Sequence, residues 1–186
     1  EGGTVVRASL YPAFREEKFQ SPQRVYAAGG LEGLRADAEE NGRFLQDLGI
    51  HVNLAPVCDL SQNPGDFIYP RSLGLSPEET AQGVAAIVEG HTSGGVGSGL
   101  KRFPGYGSNV DTHGGIAVDK RPLAQFEQED FLPFQAGWDA GAGAVLVSHN
   151  IVQCLDPERP ASLSSAAYQK LRELGFRGVA LTDDLV

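Results

Sequence analysis

The chain has 186 residues, of which 41% are hydrophobic and 21% charged, and its formal net charge is −9. This composition is typical of a globular domain, and the acidic balance argues against a nucleic-acid partner because phosphate binding needs a basic surface. No apolar run approaches the roughly 18 residues that a membrane span requires, so we expect no membrane partner.

Apolar, strand-like runs alternate with helix-like segments along the chain. Strands are predicted over residues 51–57, 97–103, 144–148 and 178–182, and residues 4–9 are a weaker candidate. Helices are predicted over residues 32–48, 76–89, 126–140 and 164–174. This alternation predicts βα units on a parallel sheet, in either a closed barrel or a doubly wound arrangement.

Several local signals support these boundaries. Ser76 precedes Pro77 and Glu79, an order that predicts a capped helix start. The glycine-rich residues 94–99 precede a strand, so we interpret them as a helix-to-strand turn rather than a dinucleotide-binding loop. The acidic residues 127–130 are expected to form a solvated first helical turn, where negative charge is favoured.

Polar and titratable residues follow the predicted strands. They are Asp59, Lys101, His149, Asn150 and Asp183. Because chemistry in parallel α/β folds takes place at the carboxyl ends of the strands, these side chains are expected to share one site. Asp111 and His113 lie on a glycine-punctuated loop after the second strand, and together they could carry a proton.

Five short motifs resemble a known family. Residues 101–107 read K-R-F-P-G-Y-G, close to a K-H-F-P-G-H-G signature, and D-T-H follows at residues 111–113. Residues 182–185 read T-D-D-L, residues 55–60 read A-P-V-C-D-L, and Arg71 begins an R-S-L. With these motifs the chain resembles the N-terminal domain of glycoside hydrolase family 3, in its β-N-acetylglucosaminidase branch.

The resemblance implies a (β/α)8 barrel, with residues 1–186 as one catalytic domain that is truncated at both ends. It implies that Asp183 is the nucleophile, that His113 is the general acid and base, and that Asp111 orients His113. It also implies a set of sugar-binding residues, namely Lys101, Arg71, His149, Asp59 and Arg102. Arg102 and Tyr106 stand where the signature has histidine, so the contacts to the sugar are expected to differ from those of the family.

The implied chemistry is physically consistent. A retaining glycosidase needs a carboxylate nucleophile and a proton donor for the leaving oxygen. Histidine has an ordinary pKa of about 6.5, and a neighbouring carboxylate such as Asp111 raises it, so His113 could donate a proton near neutral pH.

We therefore expect a retaining hydrolase that removes terminal β-N-acetylglucosamine from muropeptides or chitooligosaccharides, with a carbohydrate as its partner. A glycoside phosphorylase, a β-glucosidase and a non-catalytic sugar-binding barrel remain as alternatives. We expect no zinc site, since the four histidines and two cysteines lack metal-binding spacing. The resemblance implies no metal or organic cofactor. Cys58 and Cys154 are expected to be free thiols, and a cytoplasmic location is favoured, although a missing N-terminus would also remove a signal peptide.

Overall fold

Four strands form a parallel sheet at the centre of the fold, as the alternating pattern predicts. The computed structural model describes residues 7–107 and 117–183. In chain order the strands are β1 (Val52–Asn53), β2 (Gly97–Phe103), β3 (Val118–Asp119), β4 (Ala144–Val147), β5 (Ile151–Val152) and β6 (Val179–Thr182). The sheet has the order β1-β2-β4-β6, and β3 pairs with β5 in a second, two-stranded parallel sheet that the sequence did not predict.

The register of the sheet brings the carboxyl ends of its strands together. Phe103 of β2 pairs with Val147 of β4, which in turn pairs with Thr182 of β6. The predicted strand over residues 51–57 is shorter than expected, but Val57 still makes a parallel bridge to Lys101. Polar residues that follow these strands therefore emerge along one edge.

The described residues form five α-helices. They are α1 (Pro22–Asp47), α2 (Pro77–Ser93), α3 (Leu123–Gln125), α4 (Phe131–Asp139) and α5 (Ser165–Glu173), with a π-helix (Phe126–Asp130) between α3 and α4. The capping box predicted at α2 is confirmed: the Glu79 N–H donates to Ser76 Oγ, and the Ser76 N–H donates to the Glu79 carboxylate, each at 3.2 Å.

Two predicted elements differ from the observed ones. Helix α1 consists of two helical segments that meet at a kink, because Gly30 has non-helical backbone angles (φ 59°, ψ −148°). The second segment corresponds to the predicted helix over residues 32–48, whereas the first, which Ser21 caps, was not predicted. Arg7–Leu10 is a 3-10 helix, so the weaker strand candidate over residues 4–9 is wrong in its described part.

An aromatic cluster packs α4 against the sheet. The Phe103 ring lies 5.5 Å from that of Phe131 and 5.4 Å from that of Phe134, and all three side chains are buried. Gly137 permits this approach, since a Cβ there would lie 2.7 Å from the Leu100 side chain. The parallel α/β arrangement is thus confirmed, while closure into an eight-stranded barrel stays a prediction.

Candidate active site

The carboxyl edge of the sheet gathers the polar residues that the sequence singled out. Asp59 follows β1, Lys101 and Arg102 lie near the end of β2, His149 follows β4 and Asp183 follows β6. The neighbouring strand ends are tied by backbone hydrogen bonds, from Ser148 N–H to Phe103 O at 2.8 Å and from Asp183 N–H to Val147 O at 3.2 Å.

A buried ion pair lies at the centre of this edge. Arg102 Nη1 donates to Asp59 Oδ2 at 2.8 Å, and the two side chains are 4% and 0% exposed. The backbone N–H of Tyr106 donates to the other carboxylate oxygen of Asp59, also at 2.8 Å. Burial raises the pKa of Asp59, and the positive charges of Arg102 and Arg71 act against that rise. The pair therefore fixes the loop after β2 to the end of β1.

Asp183 lies beside this ion pair. Its Oδ2 is 4.0 Å from Arg102 Nε, and its side chain is 28% exposed, whereas that of Arg102 is almost fully enclosed. A carboxylate with accessible surface at a strand end, close to a fixed positive charge, suits the nucleophile that the resemblance implies.

The predicted sugar-binding residues differ in their accessibility. Arg71 ends the 3-10 helix Tyr69–Arg71, and it is half-buried with its guanidinium carbon 5.9 Å from the centre of the Phe67 ring. Lys101 and His149 are also half-buried, and His149 Nδ1 lies 2.7 Å from Ser162 Oγ. These three side chains combine polar atoms with accessible surface, while Asp59 and Arg102 are buried.

The predicted acid and base, His113, and its partner Asp111 lie outside the described residues. The segments on either side of them are described. Gly105 and Gly107 precede them with φ angles of 130° and 58°, and Ala117 follows them with its carbonyl accepting from Ile151 N–H at 2.9 Å.

An ion cluster that the sequence did not predict links the chain segments before residue 108 and after residue 116. Arg121 donates to Asp119 Oδ2 at 2.9 Å and to Asp130 Oδ2 at 2.8 Å, and both carboxylates are buried. The Asp130 carboxylate packs so closely on Gly105 that a Cβ there would lie 2.3 Å from Oδ1. The expectation that residues 127–130 are solvated is therefore wrong for Asp130, whose pKa burial raises to about 6.

Two further polar residues near the site were not given a role from the sequence. Asn150 is fully buried and donates from Nδ2 to the Tyr106 carbonyl at 3.5 Å. Within the described part of the chain, neither Asn150 Oδ1 nor the hydroxyl of buried Ser148 has a hydrogen-bond partner. Asn150 was among the strand-end residues that the sequence placed in the site, whereas Ser148 was predicted only as the last residue of its strand.

A cavity of about 650 Å³ lies beside the edge, between the segment after Asp59 and the start of α3. Its lining includes Ser61, Asn63, Gly107 and Arg121.

Among residues 7–107 and 117–183, no group of three or more His, Cys, Asp or Glu is placed to hold a metal ion. The helices of the described part include none that is both long and apolar enough to cross a membrane.

Cys58 and Cys154 are free thiols, as expected. Cys58 is buried, and burial raises the pKa of its thiol well above the ordinary value, whereas Cys154 is exposed.

Curated relatives share sequence along the whole chain. A β-hexosaminidase of Xanthomonas campestris is 37% identical over 195 residues, which is 100% of this chain and 57% of the relative. A β-hexosaminidase of Stenotrophomonas maltophilia is 41% identical over 140 residues, which is 74% of this chain and 41% of the relative. The chain thus spans little more than half the length of the relatives it matches.

Solved structures share the fold. A family 3 glycosyl hydrolase of Mycobacterium smegmatis superposes with a TM-score of 0.88 at 31% identity, covering 100% of this chain and 59% of that structure. A family 3 β-N-acetylglucosaminidase of a Paenibacillus species gives a TM-score of 0.84 at 32% identity, covering 89% of this chain and 32% of that structure. Residues 19–186 match the glycosyl hydrolase family 3 N-terminal domain, and the chain therefore belongs to glycosyl hydrolase family 3.

Proposed function

We propose that the full-length protein is a retaining, exo-acting glycoside hydrolase that removes terminal β-N-acetylglucosamine from muropeptides or chitooligosaccharides. The observation that carries this proposal is the placement of Asp183, which is partly exposed at the end of β6 and lies 4.0 Å from the buried guanidinium of Arg102. The names of the relatives, β-hexosaminidase and β-N-acetylglucosaminidase, support the choice of sugar.

The reaction follows the two steps of a retaining glycosidase. In the first, an oxygen of Asp183 attacks the anomeric carbon, the glycosidic C–O bond breaks, and His113 donates a proton to the leaving oxygen. In the second, water attacks the anomeric carbon, the bond to the Asp183 oxygen breaks and regenerates the carboxylate, and His113 accepts the proton that this water loses. Asp111 orients the imidazole and stabilises its charged form, as the carboxylate of a serine-protease triad does for its histidine.

Lys101, Arg71 and His149 bind the sugar in this proposal. All three are half-buried, so each can present a polar head to a ligand while its stem packs on the protein. Hydrogen bonds from such residues to sugar hydroxyls would hold the anomeric carbon against Asp183 and contribute to the rate through orientation.

The experiment is hydrolysis of an aryl β-N-acetylglucosaminide by the full-length protein, beside an Asp183→Asn variant. We expect Asp183→Asn to abolish turnover, because an amide oxygen cannot act as the nucleophile. Asp139→Asn is the matched control, since Asp139 is exposed at the end of α4, away from the strand ends. Full activity in Asp183→Asn would refute the assigned nucleophile.

The proton donor is tested with leaving groups of different acidity. His113→Ala should slow cleavage of natural oligosaccharides far more than cleavage of activated aryl glycosides, whose leaving groups need little protonation. Equal losses on both would contradict the role of His113.

Parallel assays separate the alternatives. A rate that depends on added phosphate would identify a phosphorylase, and faster cleavage of aryl β-glucosides would identify a β-glucosidase. Binding of N-acetylglucosamine by a folded protein without turnover would identify a sugar-binding barrel.

A further inference from the structure

Arg102 and Tyr106 contact each other. Both are 3% exposed, and the guanidinium carbon of Arg102 lies 5.7 Å from the centre of the Tyr106 ring, within the range of a cation–π interaction. Asp59 links them a second time, because one of its oxygens accepts from the Arg102 side chain and the other from the Tyr106 backbone, both at 2.8 Å. We call these three residues the Arg102 unit.

The Arg102 unit is poorly placed to bind a sugar hydroxyl. The Arg102 side chain is 4% exposed and its Nη1 donates to Asp59, so little of its surface is open to a ligand. Its Nε instead lies 4.0 Å from Asp183 Oδ2. A positive charge that is fixed at this distance acts on the position and the charge of the carboxylate rather than on the substrate.

We infer that Arg102 is a positioning residue for the Asp183 carboxylate, not a sugar ligand, and that Tyr106 and Arg102 act as one unit in this role. The inference rests on the proposed function, in which Asp183 attacks the sugar.

The geometry gives each member of the unit a task. The planar guanidinium has several donors, so Arg102 can bind Asp59 with one nitrogen and present another to Asp183. Tyr106 supplies a flat ring for the guanidinium, and its backbone N–H holds Asp59 from the other side. Arg102 and Tyr106 are also the two positions at which the chain departs from the histidines of the resembled signature. Substituting histidine at one position should break the contact between the two side chains, whereas substituting histidine at both should replace it with a contact between two histidines.

The experiment measures kcat and KM for an aryl β-N-acetylglucosaminide in the full-length protein. The variants are Arg102→His, Tyr106→His, the double variant and the charge-retaining Arg102→Lys. We expect each single histidine variant to lose about 10- to 100-fold in kcat, the cost of a misplaced reacting group, with KM changed less than threefold. We expect the double variant to lose less than the product of the two single losses, because residues that act as one unit show non-additive effects.

Arg102→Lys keeps a positive charge without the fork of donors, so it should also lower kcat while KM stays nearly constant. Arg35→Lys is the control, since Arg35 forms ion pairs with Glu32 and Glu89 on the surface, and its kinetics should match those of the wild type. Melting temperatures identify variants that do not fold. If the histidine variants do not fold, the kcat and KM of Arg102→Lys test the inference.

Two results would overturn the inference. A rise in KM with little change in kcat for the Arg102 variants would make Arg102 a sugar ligand. Losses that multiply in the double histidine variant would show that Arg102 and Tyr106 act separately. A wild-type protein that cleaves no aryl glycoside would instead refute the proposed function, and the role of Arg102 in it.

Discussion

The buried His91 should make the protein lose stability in mild acid. Its side chain is 1% exposed between α2 and the sheet, with Nδ1 2.9 Å from Ser98 Oγ and Nε2 3.2 Å from the side-chain nitrogen of Asn53. Asn53 donates that same nitrogen to Asn41 Oδ1 at 3.0 Å. The neutral imidazole fits these partners, with Nδ1 as the donor and Nε2 as the acceptor. A protonated imidazole would carry an N–H on Nε2 as well, and that N–H would point at the donor nitrogen of Asn53. His91 therefore has a structural role in the core.

The size of the effect follows from the pKa. Burial lowers the pKa of His91 from 6.5 to about 4. Between pH 6.5 and pH 4, the unfolded chain therefore binds a proton on His91 that the folded chain does not bind. The contribution of His91 to the free energy of unfolding is thus complete above pH 6.5 and is lost as the pH falls to 4. At 1.36 kcal/mol for each pKa unit, the loss is about 3 kcal/mol.

The assay is urea unfolding of the full-length protein and of His91→Gln at several pH values from 4 to 7.5. Glutamine does not titrate, so the stability advantage of the wild type should shrink by about 3 kcal/mol across this range. Asp37 and Asp130, whose pKa values burial raises to about 6, have the opposite pH dependence, but both proteins carry them and they cancel in the difference. An advantage that does not change with pH would refute the reasoning.

Three further predictions concern packing, charge and capping. Gly90→Ala should destabilise α2 by about 1–3 kcal/mol, since the new Cβ would lie 2.3 Å from the Arg35 carbonyl oxygen, whereas Gly29→Ala, which meets nothing within 4 Å, should not; thermal unfolding of both variants checks this. Arg121→Met should lower the free energy of unfolding in urea by about 3–5 kcal/mol, because it leaves two buried carboxylates without their positive partner. A loss below about 1 kcal/mol would contradict the burial of this ion cluster. Ser76→Ala removes the capping hydrogen bond of α2 and should cost about 1 kcal/mol by the same measurement.

Local signals predicted the fold well wherever one short stretch of sequence decides the structure. The start of α2 was correct because Ser76, Pro77 and Glu79 complete their hydrogen bonds among themselves. Strands β3 and β5 were missed because two residues are too few to show a period. The first segment of α1, which ends at the kink at Gly30, was not predicted, although the serine cap at Ser21 and the proline after it are local signals of a helix start.

The candidate site was predictable in outline and not in detail. The parallel pattern correctly placed Asp59, Lys101 and Asp183 at one edge, since strand ends in such a sheet coincide. It could not show that Arg102 is buried while Lys101 is half-exposed, because the register of β2 shifts between Lys101 and Phe103 and breaks the simple alternation of sides. The burial of Asp130 was equally hidden, since it depends on the π-helix and on Arg121.

The distances around Arg102 give a reason why a buried aspartate accompanies Asp183, the proposed nucleophile. An aspartate that formed a 2.8 Å pair with a guanidinium would have its lone pairs engaged and its charge neutralised, which would weaken it as a nucleophile. Asp59 takes that short contact with Arg102, and Asp183 keeps a longer one of 4.0 Å. The electrostatic attraction still reaches Asp183 at that distance, because it falls only inversely with separation. Asp59 therefore fixes the guanidinium in place, and the field of Arg102 reaches Asp183 from 4.0 Å.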